Sequence, residues 1–227
     1  MTGMHALAAG RIRGVVFDLW NTLAYNDHLP NPIVALAESF GVSGPGWAKT
    51  IERGMMLRPL PGIEEGIASL SRDLGVALPP GETERLARLW REACRRTRIF
   101  EDVPESLKRL SARCRLGLLS NTQSFDLEFL DDGTLGTFLR ARLLSCHAGI
   151  LKPDPALFHR MAGMLRLEPP EILMVGDSLR DDILGSEAVG MQAILIRRRE
   201  APLSFQERHP GRNPIPSLAP LLEALGA

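Results

Sequence analysis

The sequence predicts an α/β protein, with a doubly wound parallel sheet and one inserted block of helices. Three observations carry that expectation. Short apolar runs bounded by turn residues recur along the 227 residues, as strands buried on both faces of a parallel sheet do. Stretches of helical period separate the later runs, so strand and helix alternate. One interval, residues 24 to 100, shows helical periods and no convincing strand.

The first strand is expected at Val15 to Phe17, ending in Asp18. In the interval that follows, Ile63, Ile67, Leu70 and Leu74 make one apolar stripe, and Leu86, Leu89, Trp90 and Ala93 make another. Pro and Gly in PGIEEG and LPPGETE stand just before those stripes, where helices start. A crossover between parallel strands needs only one helix, so this block reads as a separate helical subdomain over the strand ends. The next strands are expected at Leu116 to Leu119, Leu143 to Leu144, Ile172 to Val175 and Ala193 to Ile196. Leu157, Met161, Met164 and Leu165 form one helical face, and Leu218, Leu221, Leu222 and Leu225 another. Residues 198 to 216 are polar, proline-containing and aperiodic, a surface excursion. The run Arg197 to Arg199 within reach of it reads as a solvated cluster, with an anion site as the alternative.

Composition narrows the classes. Lysine plus arginine equals aspartate plus glutamate, 27 each, which gives no electrostatic argument for nucleic acid or a membrane surface. Apolar content fits a chain that buries a real core. The three cysteines, Cys94, Cys114 and Cys146, are widely spaced and suit buried thiols in a reducing compartment. The first residues read as too weakly apolar for a signal peptide, and no apolar run approaches a spanning helix. A cytoplasmic location is the expectation. Lysine occurs only at positions 49, 108 and 152 in an otherwise arginine-rich chain.

Ligands of open α/β sheets bind at the carboxyl ends of the strands. There the sequence places Asp18, then Ser120 and Asn121, and then Asp177 and Ser178, with Lys152 just before the fourth strand. Asp18 reads as a nucleophile or a metal ligand. Asp177, with Asp181 or Asp182, offers hard oxygen ligands suited to Mg²⁺. Ser120 and nearby backbone N–H groups can hold a phosphoryl oxygen, and Lys152 adds a compact positive charge. Phosphoryl transfer needs little more than these parts. His28, His147, His159 and His209 match no motif and read as structural or surface residues.

FDLWNTL, LLSNT, GILKPDPALF and MVGDSLRDDILGSEAVGM resemble, in order, the four motifs of the haloacid-dehalogenase-like (HAD) hydrolase superfamily. The resemblance implies a Rossmann-like core of residues 11–23 and 101–227, with an α-helical cap of the first type at 24–100. It implies Asp18 as a covalent nucleophile. Ser120 would bind the transferring group, with Thr22, Asn121, Lys152 and Trp20 around the substrate, and Lys152 would also orient Asp18. Mg²⁺ would be held by Asp18, Asp177, the Trp20 backbone carbonyl and Asp182, with adjacent Asp181 still open for the last role. The partner would be a small molecule, a phosphorylated metabolite or a haloacid.

One position departs from the pattern. Phosphatases that this chain resembles carry an acid two residues after the nucleophile, to protonate the leaving oxygen and later activate water. Here that residue is Trp20, whose indole donates a hydrogen bond and has no usable pKa. General acid–base help contributes roughly 10²–10⁴-fold in rate. Asn21 stands where the pattern has Gly, and Asn tolerates left-handed backbone. Three readings follow: a Mg²⁺-dependent phosphatase with an undemanding leaving group or a base from the cap; a 2-haloacid dehalogenase, since halide leaves unprotonated; or a catalytically weak or inactive homologue that binds a phosphorylated ligand or a protein partner. Phosphonate hydrolysis would need a cap lysine, and Lys49 is the only one. Tyr25 and Trp20 are expected near the mouth of the site, either lining it or packing at the cap hinge.

Overall fold

The computed structural model describes residues 11–44, 46–131, 133–198 and 213–227. Five strands pair in parallel: β1 (Gly14–Phe17), β4 (Arg115–Ser120), β5 (Ala141–Leu144), β6 (Ile172–Gly176) and β7 (Gln192–Leu195). Their order is β5-β4-β1-β6-β7. The apolar runs therefore became the sheet. The chain leaves β1 toward β4 on one side and β6 toward β7 on the other. That reversal opens a crevice at the carboxyl ends of β1 and β6, which is where such sheets bind ligands.

Both faces of the sheet are covered, which explains the unbroken apolar runs. Val15 and Phe17 pack with Val103, Leu107 and Leu110 of α5 (Val103–Ser111) and with Leu221 and Leu222 of α10 (Ala219–Leu225). Val16 faces the other way, toward Leu157, Met161 and Leu165 of α8 (Pro155–Leu165). Met164 departs from its expected place: it is 44% exposed. Met161 and Leu165 approach the sheet closely over Gly117, where an added Cβ would lie 2.8 Å from the Met161 sulfur. This close seat sets the rotation of α8 and turns Met164 to solvent.

The inserted block holds α1 (Pro32–Ser39), α2 (Trp47–Met56), α3 (Ile63–Leu74) and α4 (Glu82–Cys94). Asn31 caps the first of them, accepting from the Ile33 N–H at 2.9 Å, as an N-cap side chain should. Leu36, Ile51, Met55, Ile67, Leu70 and Trp90 form an apolar core distinct from that of the sheet. The interval is not purely helical, however. Two strands of two residues, β2 (Ala24–Tyr25) and β3 (Arg98–Ile99), pair antiparallel where the chain leaves and rejoins the sheet domain. Strands this short carry no readable alternation. Tyr25 stacks on Phe100 there, with ring centroids 4.6 Å apart, so it packs at the neck.

Residues after β4 meet the helical block. Ser124 Oγ accepts from the Leu60 N–H at 2.8 Å and donates to the Leu60 carbonyl at 2.9 Å. Phe125 joins the helical core, its ring 5.6 Å from that of Trp90.

The reading of residues 197 to 199 as solvated needs correction. Arg198 is buried; its Nη1 donates to both oxygens of Asp102 at 2.7 and 2.9 Å, and its Nη2 donates to the Thr22 carbonyl at 2.8 Å. Its guanidinium also lies 4.4 Å over the Phe100 ring. Arg199, His209 and most of the expected excursion lie outside the described residues. The three cysteines are free, and burial pushes the Cys94 thiol up to about 12, which leaves it unreactive at neutral pH. No helix among the described residues is long and apolar enough to cross a membrane.

Candidate active site

β1 delivers Asp18 to the crevice, and the Asp18 N–H extends the ladder by donating to the Val175 carbonyl at 2.9 Å. A tight turn follows because the N–H groups of Leu23 and Ala24 both return to the Leu19 carbonyl, at 2.9 and 3.0 Å. Asn21 sits in this turn with φ 58°, the left-handed geometry that its side chain tolerates. Its amide does more than permit the turn: Nδ2 donates to Asp177 Oδ2 at 3.1 Å. Sequence reasoning gave Asn21 only the backbone role.

β6 ends at Gly176, where glycine is required by a close approach. An added Cβ would lie 2.3 Å from the Asp182 carboxyl carbon. Asp177 follows directly. Ser178 then caps a π-helical turn, Leu179–Leu184, its Oγ accepting from the Asp181 N–H at 3.1 Å. The turn swings Asp182 back against the strand end, where Asp182 Oδ2 accepts from the Ser178 N–H at 3.0 Å. Asp18, Asp177 and Asp182 thereby each offer a carboxylate oxygen within 4.8 Å of one another.

Lys152 is buried at the centre of this group. Its Nζ donates to Asp18 Oδ1 at 2.7 Å and to Asp182 Oδ1 at 2.5 Å. Asn121 fixes the lysine backbone from both sides: its Oδ1 accepts from the Lys152 N–H at 2.8 Å, and its Nδ2 donates to the Lys152 carbonyl at 3.3 Å. Its amide is thus spent on Lys152. Ser120 Oγ, at the end of β4, and Thr22 Oγ1, in the Asp18 turn, are both buried with no hydrogen-bond partner among the described residues. Buried hydroxyls without partners are costly, and these two suit an incoming oxyanion.

The charges do not balance among the protein groups. Burial alone would lower the Lys152 pKa, but Asp18 and Asp182 outweigh it and hold the ammonium charged. Burial pushes the Asp177 carboxyl well above the usual range, and the charges of Asp18 and Asp182 push it further. Burial likewise raises Asp182, to about 6, against the opposing pull of Lys152. Three close carboxylates share one lysine, so the site is short of positive charge. Oxygen donors at this spacing fit a hard divalent cation. No described backbone N–H donates to the Trp20 carbonyl, which leaves that oxygen open as a further donor.

The two neighbouring acids lie in different places. Asp182 joins the cluster, whereas Asp181 Oδ2 pairs with Lys49 Nζ at 2.8 Å. Lys49 comes from α2 of the helical block, and it also donates to Glu52 Oε2 at 2.7 Å and to the Lys152 carbonyl at 3.3 Å. The rarity of lysine was the one signal for this contact in the sequence; its partners were not readable. Trp20 is anchored, with Nε1 donating to Thr122 Oγ1 at 3.1 Å and the ring 5.9 Å from that of Phe129. His28 is buried against Glu92 at 3.7 Å; His147 and His159 are exposed.

The family model for haloacid dehalogenase-like hydrolases matches residues 12–190. Phosphoglycolate phosphatase 1 of Pseudomonas aeruginosa is 30% identical, over 92% of this chain and 75% of its own length. The bovine haloacid dehalogenase-like hydrolase domain-containing protein 3 is 37% identical over 56% of this chain and 51% of its own. The chain spans about half the length of the first curated relatives it matches. A HAD phosphatase structure from Thermococcus onnurineus superposes with TM-score 0.63 at 20% identity, covering 95% of this chain and 98% of the other.

Proposed function

The chain belongs to the haloacid dehalogenase-like hydrolases, and on that premise we propose that it is a Mg²⁺-dependent phosphatase acting on a small phosphorylated metabolite. The observation that carries the reading is the cluster of Asp18, Asp177 and Asp182, two of them buried and Asp177 half-buried, with too little positive charge of its own. In this reading residues 11–23 and 101–227 are the catalytic body and residues 24–100 its cap. The curated relative from Pseudomonas aeruginosa, a phosphoglycolate phosphatase by name, supports the substrate class.

Asp18, Asp177, Asp182 and the Trp20 carbonyl would hold Mg²⁺, which when bound supplies charge neutralisation to the phosphoryl group. Lys152 fixes Asp18 Oδ1, and Oδ2, which has no partner among the described residues, is the oxygen placed to attack phosphorus. Ser120 and Thr22 receive the phosphoryl oxygens, which gives both buried hydroxyls the partners they lack. The aspartyl-phosphate on Asp18 is then hydrolysed by water.

Acetyl phosphate and an aryl phosphate test the reading, because neither leaving group needs much protonation. Phosphate release in Mg²⁺ that stops in EDTA is the expected result. No release with Mg²⁺, or undiminished release in EDTA, overturns it. Binding is also visible without turnover. Mg²⁺ should stabilise the fold, by about 2.7 kcal/mol at a hundred times its Kd. Because Asp177 and Asp182 hold protons more tightly than usual, cation and proton compete. The thermal shift should therefore grow as pH rises through about 6 and shrink below it.

One observation favours a second reading, 2-haloacid dehalogenation: an aromatic, Trp20, stands where a proton donor is needed for esters and not for halides. Trp20→Asp separates the two. A phosphatase with no other acid in reach of the leaving oxygen should gain up to about 10²-fold on alkyl phosphates, discounted for the lost Thr122 bond. A dehalogenase should show no gain, and the wild type should release chloride from 2-chloropropionate.

A further inference from the structure

In-line displacement puts the leaving oxygen on the side of phosphorus away from the nucleophile. Asp18 attacks from the sheet, so that oxygen emerges toward the helical block. Trp20 cannot protonate it, and its Nε1 is committed to Thr122. A replacement acid must come from the α1–α4 side and reach the catalytic loops.

Glu52 of α2 meets that requirement. Lys49, one helical turn earlier, grips Glu52 Oε2 with the same ammonium that bonds Asp181 and the Lys152 carbonyl. That ammonium therefore ties Glu52 to the loop that carries Asp177 and Asp182 and to the loop that carries Lys152. Oε1 of Glu52 accepts no hydrogen bond among the described residues, so one oxygen stays available for a proton. We propose that Glu52 is a catalytic residue, the general acid and base that Trp20 cannot be, with Lys49 as its positioning residue. The inference rests on the phosphatase reading above.

Burial raises the Glu52 carboxyl above its ordinary value despite the adjacent Lys49, and the nearby Asp181 raises it further. A raised carboxyl holds its proton closer to neutral pH, as an acid catalyst needs. In the first step Asp18 Oδ2 bonds to phosphorus, the bond to the leaving oxygen breaks, and that oxygen takes the Glu52 proton. In the second, Glu52 carboxylate takes a proton from water as the water oxygen bonds to phosphorus. The bond from phosphorus to Asp18 then breaks, restoring both side chains and releasing orthophosphate.

The second step is common to every substrate, so acetyl phosphate with Mg²⁺ suffices as the probe. Acetate leaves without acid help, and formation of the aspartyl-phosphate should be unimpaired in Glu52→Gln. Its hydrolysis should slow by about 10²–10⁴-fold, so that acid-quenched protein, weighed by mass spectrometry, carries the phosphoryl group at steady state. Trp20→Asp in the Glu52→Gln background should restore turnover. Wild-type turnover by Glu52→Gln overturns the proposal. An equal fall in formation and hydrolysis also overturns it, because a residue that merely holds the helices in place would slow both. If the wild-type protein neither becomes phosphorylated nor releases phosphate, the phosphatase reading itself fails, which is a different result from either of these.

Discussion

Asp18→Asn is expected to abolish phosphate release, by at least about 10⁴-fold, without destabilising the metal-free protein. An amide cannot form the covalent intermediate, and the rest of the machinery cannot replace a missing nucleophile. The stability half of the expectation comes from the charge shortage. Asn is the same size as Asp, and the change removes one of three close carboxylates. Lys152 keeps Asp182 at 2.5 Å as its partner. Melting in EDTA should be unchanged or higher for the variant, as is common where function has been built against stability. Turnover retained by Asp18→Asn would move the nucleophile elsewhere. A large loss of stability would mean that the Asp18–Lys152 pair outweighs the repulsion.

Lys152→Met should have the opposite character, losing both activity and stability. It leaves Asp18 and Asp182 buried without their shared cation, and breaking a buried pair from one side costs about 3–5 kcal/mol. The sign of its pH dependence follows from the raised carboxyls. Asp182 already sits at about 6 with Lys152 present, above the ordinary aspartate value of roughly 4. An acid raised in the folded state binds more protons folded than unfolded, so stability falls as pH rises between the two values. Removing the lysine pushes the folded value higher and widens that window. The deficit measured by urea melts should therefore be small in acid and grow as pH passes 6. A deficit independent of pH would assign the loss to packing of the lysine stem.

The sheet was legible because its strands are buried on both faces and read as unbroken apolar runs, and the loops of the candidate site because they sit at fixed places relative to those strands. Asp18, Asp177 and Lys152 could be placed for that reason. Other features depend on how one part of the chain lies against another. The salt bridge of Arg198 to Asp102 joins residues 96 apart in sequence, and an arginine run gives no hint that its middle member is buried. Met164 shares the helical period of Met161 and Leu165, yet the seat over Gly117 decides which residues turn inward. The strands at the neck are two residues each, below the length at which a period exists. Glu52 and Lys49 had no readable partners because the docking angle of the helices over the sheet is not written in any local pattern.

The two bonds between Ser124 and Leu60 have a mechanical consequence. Ser124 lies three residues after Asn121, the residue that clasps Lys152 by both its amide N–H and its carbonyl. A helical block that lifts away must either break the Ser124 bonds or drag this short segment with it, loosening the grip on the lysine. Such a lift would act on Asp18 as well, because Lys152 holds Asp18 Oδ1. The helical block and the lysine that steadies Asp18 are therefore mechanically one piece, joined through Ser124 and again through Lys49.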